Sequence, residues 1–129
     1  MRGVIEHVKR KQQINDFRGL LYGKITPTDT DGLIEYKDRA WVLIEVKYSG
    51  NDLPFGQRLA FERFINDVSQ KKQAIAIVAE HEVHDTSESI DVASCNVREF
   101  YWSGRKQWKK PEENITVKRA VDKFLGLAV

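Results

Sequence analysis

The run Trp41-Val-Leu-Ile-Glu-Val-Lys-Tyr48 constrains this chain more than any other stretch. It is rich in β-branched and aromatic residues and is followed by Ser49-Gly50-Asn51-Asp52 and Pro54. It reads as a strand ending in a loop, and its apolar content places it in the interior of a sheet. Side chains alternate along a strand, so Trp41, Leu43, Glu45 and Lys47 share one face, and Val42, Ile44, Val46 and Tyr48 the other. Two opposite charges therefore stand where the pattern asks for apolar residues. A buried charge is costly unless it is paired or binds a metal, so Glu45 and Lys47 are either a plain ion pair at a strand end or part of a functional site.

The segment before this strand bears on that choice. Thr28 to Tyr36 reads as a second short strand and Lys37-Asp38-Arg39 as the turn of an antiparallel hairpin. With a three-residue loop, Tyr36 faces Ala40, Ile34 faces Val42, and Asp31 comes opposite Glu45. A two-residue loop at Asp38-Arg39 sets Asp31 against Val46, on the wrong face. The functional reading requires the first register or a compensating bulge.

An Asp and a Glu on neighbouring strands, with a Lys two residues on, suit phosphodiester hydrolysis. Carboxylates are hard oxygen ligands for Mg²⁺, which lowers the pKa of a bound water and neutralises charge on the phosphate. The Lys can orient the attacking water or stabilise the transition state.

Asp31, then Glu45-Val46-Lys47 after an apolar strand, then Gln57 at the start of a helix, resembles the PD-(D/E)XK nuclease superfamily, which includes restriction endonucleases and Holliday-junction resolvases. The resemblance covers roughly the first 80 residues. It implies an α/β fold, a restriction-endonuclease-like mixed sheet flanked by helices, with an α-β-β-α-β core followed by a C-terminal strand and helix. It also implies a metal site of Asp31, Glu45 and the Val46 carbonyl, and catalytic roles for Asp31, Glu45, Lys47 and Gln57, with Mg²⁺ as cofactor and Mn²⁺ able to substitute. The family's proline before the Asp is missing, since Thr30 stands there and Pro27 lies earlier. Asp29, two residues back on the same face, is thus a rival for the metal position. The family often places a further acid on its first helix, which makes Glu6 a candidate; its other reading is a favourable charge near a helix N-terminus.

A length of 129 residues fits a single domain spanning 1–129, with no room for a separate recognition domain. Hydrophobic residues at 41% and charged residues at 31% describe an ordinary globular chain, and a net charge of +2 does not by itself point to nucleic acid. The lone Cys95 has no disulfide partner, no structural zinc spacing is present, and no apolar run approaches the roughly 20 residues of a membrane helix. These features predict a soluble, cytoplasmic protein with no membrane association.

Along the chain, an imperfect apolar stripe of Val4, Ile5, Val8, Ile14, Phe17, Leu20 and Leu21 predicts a helix over residues 3–22, with Lys9-Arg10-Lys11 as a basic run on it. Leu53 to Gln70 reads as a second helix with Phe61, Phe64, Ile65 and Val68 on one face. Gln57 lies on that inward line, where it either points at the site or bonds free backbone N–H groups, and Arg58 beside it is a candidate contact for the nucleic-acid backbone. Gln73 to Ala79 reads as a buried strand parallel to the Glu45 strand through a right-handed crossover. Glu80-His-Glu-Val-His-Asp85 tempts a metal reading, yet His81 and His84 are three apart and fall on opposite faces of an extended chain, so a solvated loop is expected. Asn96 to Trp102 is a further strand. Arg105, Lys106, Lys109 and Lys110 gather around Trp108, which suits phosphate contact and base stacking or a solubilising loop. Thr116 is an N-cap for a last helix that Gly126 ends.

The sequence therefore leads to the expectation of a Mg²⁺-dependent DNA endonuclease acting on branched or junction DNA as a homodimer, because so small a domain has room for phosphate contacts but little for base readout. The rivals are an exonuclease or nicking enzyme acting on ends, flaps or single strands, a non-catalytic nucleic-acid-binding module on the same fold, and a structural protein in which Glu45 and Lys47 are a plain ion pair.

Overall fold

The computed structural model describes residues 3–102 and 107–127. Its centre is a five-stranded mixed sheet in the order β1-β2-β3-β4-β5, formed by β1 (Gly32–Tyr36), β2 (Ala40–Tyr48), β3 (Gln73–His81), β4 (Asn96–Trp102) and β5 (Trp108–Lys109). Strands β1 and β2 are antiparallel, β2 and β3 parallel, and β4 runs antiparallel to both β3 and β5. Among the described residues three α-helices accompany it: a single turn, α1 (Val8–Lys11), then α2 (Phe55–Val68) and α3 (Val117–Phe124). The class is α/β, as the sequence pattern predicts.

The hairpin register is the one the functional reading requires. Tyr36 pairs with Ala40, Ile34 with Val42 and Gly32 with Ile44, and the same register carried one step further sets Asp31 opposite Glu45. The turn achieves this with left-handed backbone at Lys37 (φ 51°) and Asp38 (φ 60°), and the Arg39 N–H donates to the Tyr36 carbonyl. Lys72 holds Asp38 by an ion pair. The regular strand β1 begins at Gly32, four residues later than the sequence suggests.

Alternation along β2 sorts two cores onto the two faces of the sheet. Val42 and Ile44 join Ile75, Ile77, Ala79 and Val97 under α3, which contributes Val117 and Val121. Leu43 joins Leu53, Ala74, Ala76, Val78 and Tyr101 under α2, which contributes Phe61 and Ile65. Phe64, placed on the inward face by spacing, is edge-on to Trp41 at 6.3 Å and partly exposed. The Thr116 side chain caps α3 by accepting from the Arg119 N–H, and Gly126 (φ 75°) follows its end.

The first helix is a correction. Where the apolar stripe predicts a helix over residues 3–22, the structure has only α1 and a 3-10 turn at Arg18–Leu20, and Val4, Ile5, Val8, Ile14, Phe17, Leu20 and Leu21 are all exposed. An amphipathic helix of this length draws its stability from packing, and none of these side chains reaches a core. The stripe also jumps from Val8 to Ile14. Local bonds offer the backbone an alternative there: Asn15 Nδ2 donates to the Gln12 carbonyl, and Asp16 Oδ1 accepts from the Arg18 N–H. Deleting residues 1–25 is therefore expected to change the free energy of unfolding by no more than about 1 kcal/mol, measured by urea denaturation, in contrast to Ile77→Ala in the core, which is expected to cost about 2–5 kcal/mol.

Candidate active site

Glu45 lies on the α2 face of β2, near the C-terminal ends of the parallel pair β2 and β3, and is only 5% exposed. A carboxylate this deep needs partners, and the structure supplies them from three directions. Lys47, two residues along the same strand, puts its Nζ 3.0 Å from Glu45 Oε2. From the end of the hairpin, the Asp31 N–H approaches Glu45 Oε1 at 3.3 Å. From α2, the buried Gln57 side chain donates from Nε2 to the Asp29 carbonyl at 3.0 Å, which sets its amide close enough to favour the charged form of Glu45.

The hairpin ladder ends at Gly32 and Ile44, and side chains continue it. Asp31 Oδ2 accepts from the Val46 N–H at 2.7 Å, and the Thr30 hydroxyl donates to the Ile44 carbonyl at 3.0 Å. These two bonds draw the exposed Asp31 carboxylate over β2 beside Glu45. The amide of Gln57 is thus turned toward the site, and its helix-start alternative is not what forms.

Burial pushes the Glu45 carboxyl above the ordinary glutamate range. Lys47 opposes this by hydrogen bond and charge, the negative Asp31 adds to it, and Gln57 opposes it. For an acid whose folded pKa lies above the unfolded one, the unfolded chain loses its proton first as pH rises. Glu45 thus leaves stability untouched below the unfolded pKa and costs stability once pH has passed the folded value.

Two carboxylates from neighbouring strands are hard oxygen donors, and Asp31 Oδ2, held by the Val46 N–H, lies over the same stretch of β2 as Glu45. The donor set thus fits Mg²⁺ or Mn²⁺. Among the described residues no group of three or more His, Cys, Asp or Glu side chains forms a metal cage. Asp29, the rival, has an exposed side chain and offers its backbone carbonyl to Gln57. Glu6 lies in the exposed N-terminal segment.

The expected nucleic-acid contacts divide. Lys9, Arg10, Lys11 and Lys110 are exposed and Lys109 is half-buried in β5, while Arg105 and Lys106 lie outside the described residues. Arg58 and Trp108 are engaged within the protein. Arg58 makes a two-pronged ion pair with Glu99 (2.8 and 3.0 Å) and stacks over the Trp108 ring at 4.6 Å, and Trp108 Nε1 donates to Glu62 at 2.7 Å. His81 and His84, predicted to diverge in a solvated loop, both lie edge-on to Tyr48, whose hydroxyl is 2.6 Å from His84 Nδ1.

Sequence reasoning missed Arg98 and Glu99 of β4, which bond to Glu80, to the Asn51 carbonyl and to Arg58. A signal was present: Val97-Arg98-Glu99-Phe100 sets two charges between two apolar residues, which strict alternation cannot place. No protein-family model matches this chain, and no curated protein or solved structure matches it. Among the described residues no helix is long and apolar enough to cross a membrane.

The opposing influences on Glu45 give a paired expectation. In carboxyl ¹³C titrations by NMR, Lys47→Met is expected to raise the Glu45 midpoint further and Asp31→Asn to lower it.

Proposed function

We propose that this protein is a metal-dependent DNA endonuclease of the PD-(D/E)XK type, acting in the cytoplasm on branched or junction DNA as a homodimer. The observation that carries this reading is the convergence of Asp31, Glu45, Lys47 and Gln57 from the hairpin end, β2 and α2 upon one buried carboxylate. The order of the later elements adds support: an antiparallel hairpin, a helical crossover and a parallel strand follow as the resemblance implies, although the first helix it implies is reduced to the single turn α1. A structural ion pair accounts for Glu45 and Lys47, and the Val46 N–H holds one oxygen of Asp31; what this leaves over is a second carboxylate beside the first.

Asp31 and Glu45 are the residues that would hold Mg²⁺ or Mn²⁺, with the Val46 carbonyl as the third donor the resemblance implies. Bound there, the metal supplies charge neutralisation at the phosphate and a water of lowered pKa. The chain's own groups do the remaining work. Lys47 carries a positive charge two residues from Glu45, placed to donate to an attacking water or a phosphate oxygen. Gln57 keeps its Nε2 bond to the Asp29 carbonyl, which fixes its amide near Glu45 as a positioning group for water or phosphate. Phosphate contacts fall to Lys9, Arg10, Lys11, Lys109 and Lys110 and, by sequence, to Arg105 and Lys106. Such contacts hold a backbone without reading bases, which favours recognition of DNA shape.

The test is cleavage of labelled four-way junction, flap, single-stranded and linear duplex DNA with Mg²⁺, Mn²⁺ or EDTA. Metal-dependent cutting strongest on the junction is expected, with Glu45→Ala and Asp31→Asn each slowing it at least about a hundredfold while the fold is kept. Full activity in Glu45→Ala ends the assignment, and preferential attack on flaps or single strands moves the substrate to that class.

A further inference from the structure

Strand β4 carries a bulge. Its register with β3 shifts between Val78 and Ala79, so that Glu99 pairs with Val78 and Val97 with Ala79, leaving Arg98 between them. Packing shows the result. Val97, Phe100 and Trp102 belong to the core under α3 and Tyr101 to the core under α2, so Arg98 and Glu99, consecutive in sequence, both point to the α2 side. A bulge is a means of re-aiming a side chain beside a site.

Each of the two re-aimed residues grips one end of the connection between β2 and α2. Arg98 Nη1 donates to the Asn51 carbonyl, just after the strand that carries Lys47, and its Nε donates at 3.0 Å to Glu80, the register partner of Lys47 on β3. Glu99 takes both prongs of Arg58, the residue after Gln57. The connection thus held is the one that sets Lys47 and Gln57 relative to each other. Arg98 Nη2 is buried with no partner among the described residues, a cost that a stability contact alone would avoid.

We propose that Arg98 and Glu99 are positioning residues for the site, a brace that fixes the spacing between Lys47 and Gln57 through Asn51 and Arg58. This rests on the nuclease reading for its effect on rate, but not for its effect on Gln57. Neither residue is placed against the substrate. Loosening the brace displaces the Gln57 amide and lowers turnover with little change in substrate affinity, since small displacements near a reacting centre weigh on rate.

The experiment compares wild type, Glu99→Gln, Arg98→Lys and the charge swap Arg58→Glu with Glu99→Arg. The Gln57 side-chain NH₂ resonance is followed by ¹⁵N NMR, and kcat and KM are followed on the DNA substrate. Glu99→Gln keeps the shape and one acceptor for Arg58, so a folded variant is expected. In it the Gln57 resonance moves and kcat falls about tenfold with KM within about twofold, and the charge swap restores both toward wild type. An unmoved Gln57 resonance in a Glu99→Gln protein that merely melts earlier overturns the brace and leaves a structural clasp. If the wild type cuts no nucleic acid, the nuclease reading fails, and the Gln57 resonance still decides the brace.

Discussion

The structure turns on a carboxylate buried in the core face of a central strand. Glu45 occupies a position that Leu43 and Val78 show to be part of the α2 core, and a lone charge there would be prohibitive. Every neighbouring peculiarity answers that constraint. Lys47 supplies charge, Gln57 is drawn inward along the helix stripe, and the chain before β1 leaves the ladder so that its side chains bond to β2. Asp31 runs against the trend, since it adds negative charge where the protein is already burdened with it. That conflict between local stability and arrangement is the physical content of the candidate site.

Much of the sheet was legible in the sequence because each central strand states its own environment. The alternation of β2, the continuous apolar run of β3 and the Asn96–Trp102 segment specify burial directly, and the three-residue turn fixes the hairpin register through a period of two. The end of the chain was legible for a similar reason, since Thr116 and Gly126 are local signals that need no distant partner.

What was not legible depends on partners elsewhere. The N-terminal stripe describes a helix only if a surface receives it, and periodicity cannot tell whether one does. Trp108 and Arg58 look like a stacking platform and a phosphate contact in sequence, yet Glu62 and Glu99 satisfy them from other elements. The bulge in β4 announces itself only as a broken alternation at Arg98-Glu99. The nearness of Asp31, Glu45, Lys47 and Gln57 was readable because these residues are close in sequence or lie on one inward line of α2.

The parallel pairing of β2 with β3 also sets the order in which the protein can assemble. The hairpin of β1 and β2 forms from neighbouring residues, but two strands alone are at best marginal in water. Val42 pairs with Ile75 only after the intervening loop and α2 have closed, so the entropy of that closure comes before its reward. Pairing β2 with β3 therefore requires that closure, whereas the hairpin does not. Glu45 is the register partner of Val78, so its burial depends on that long-range pairing and cannot come from the hairpin alone.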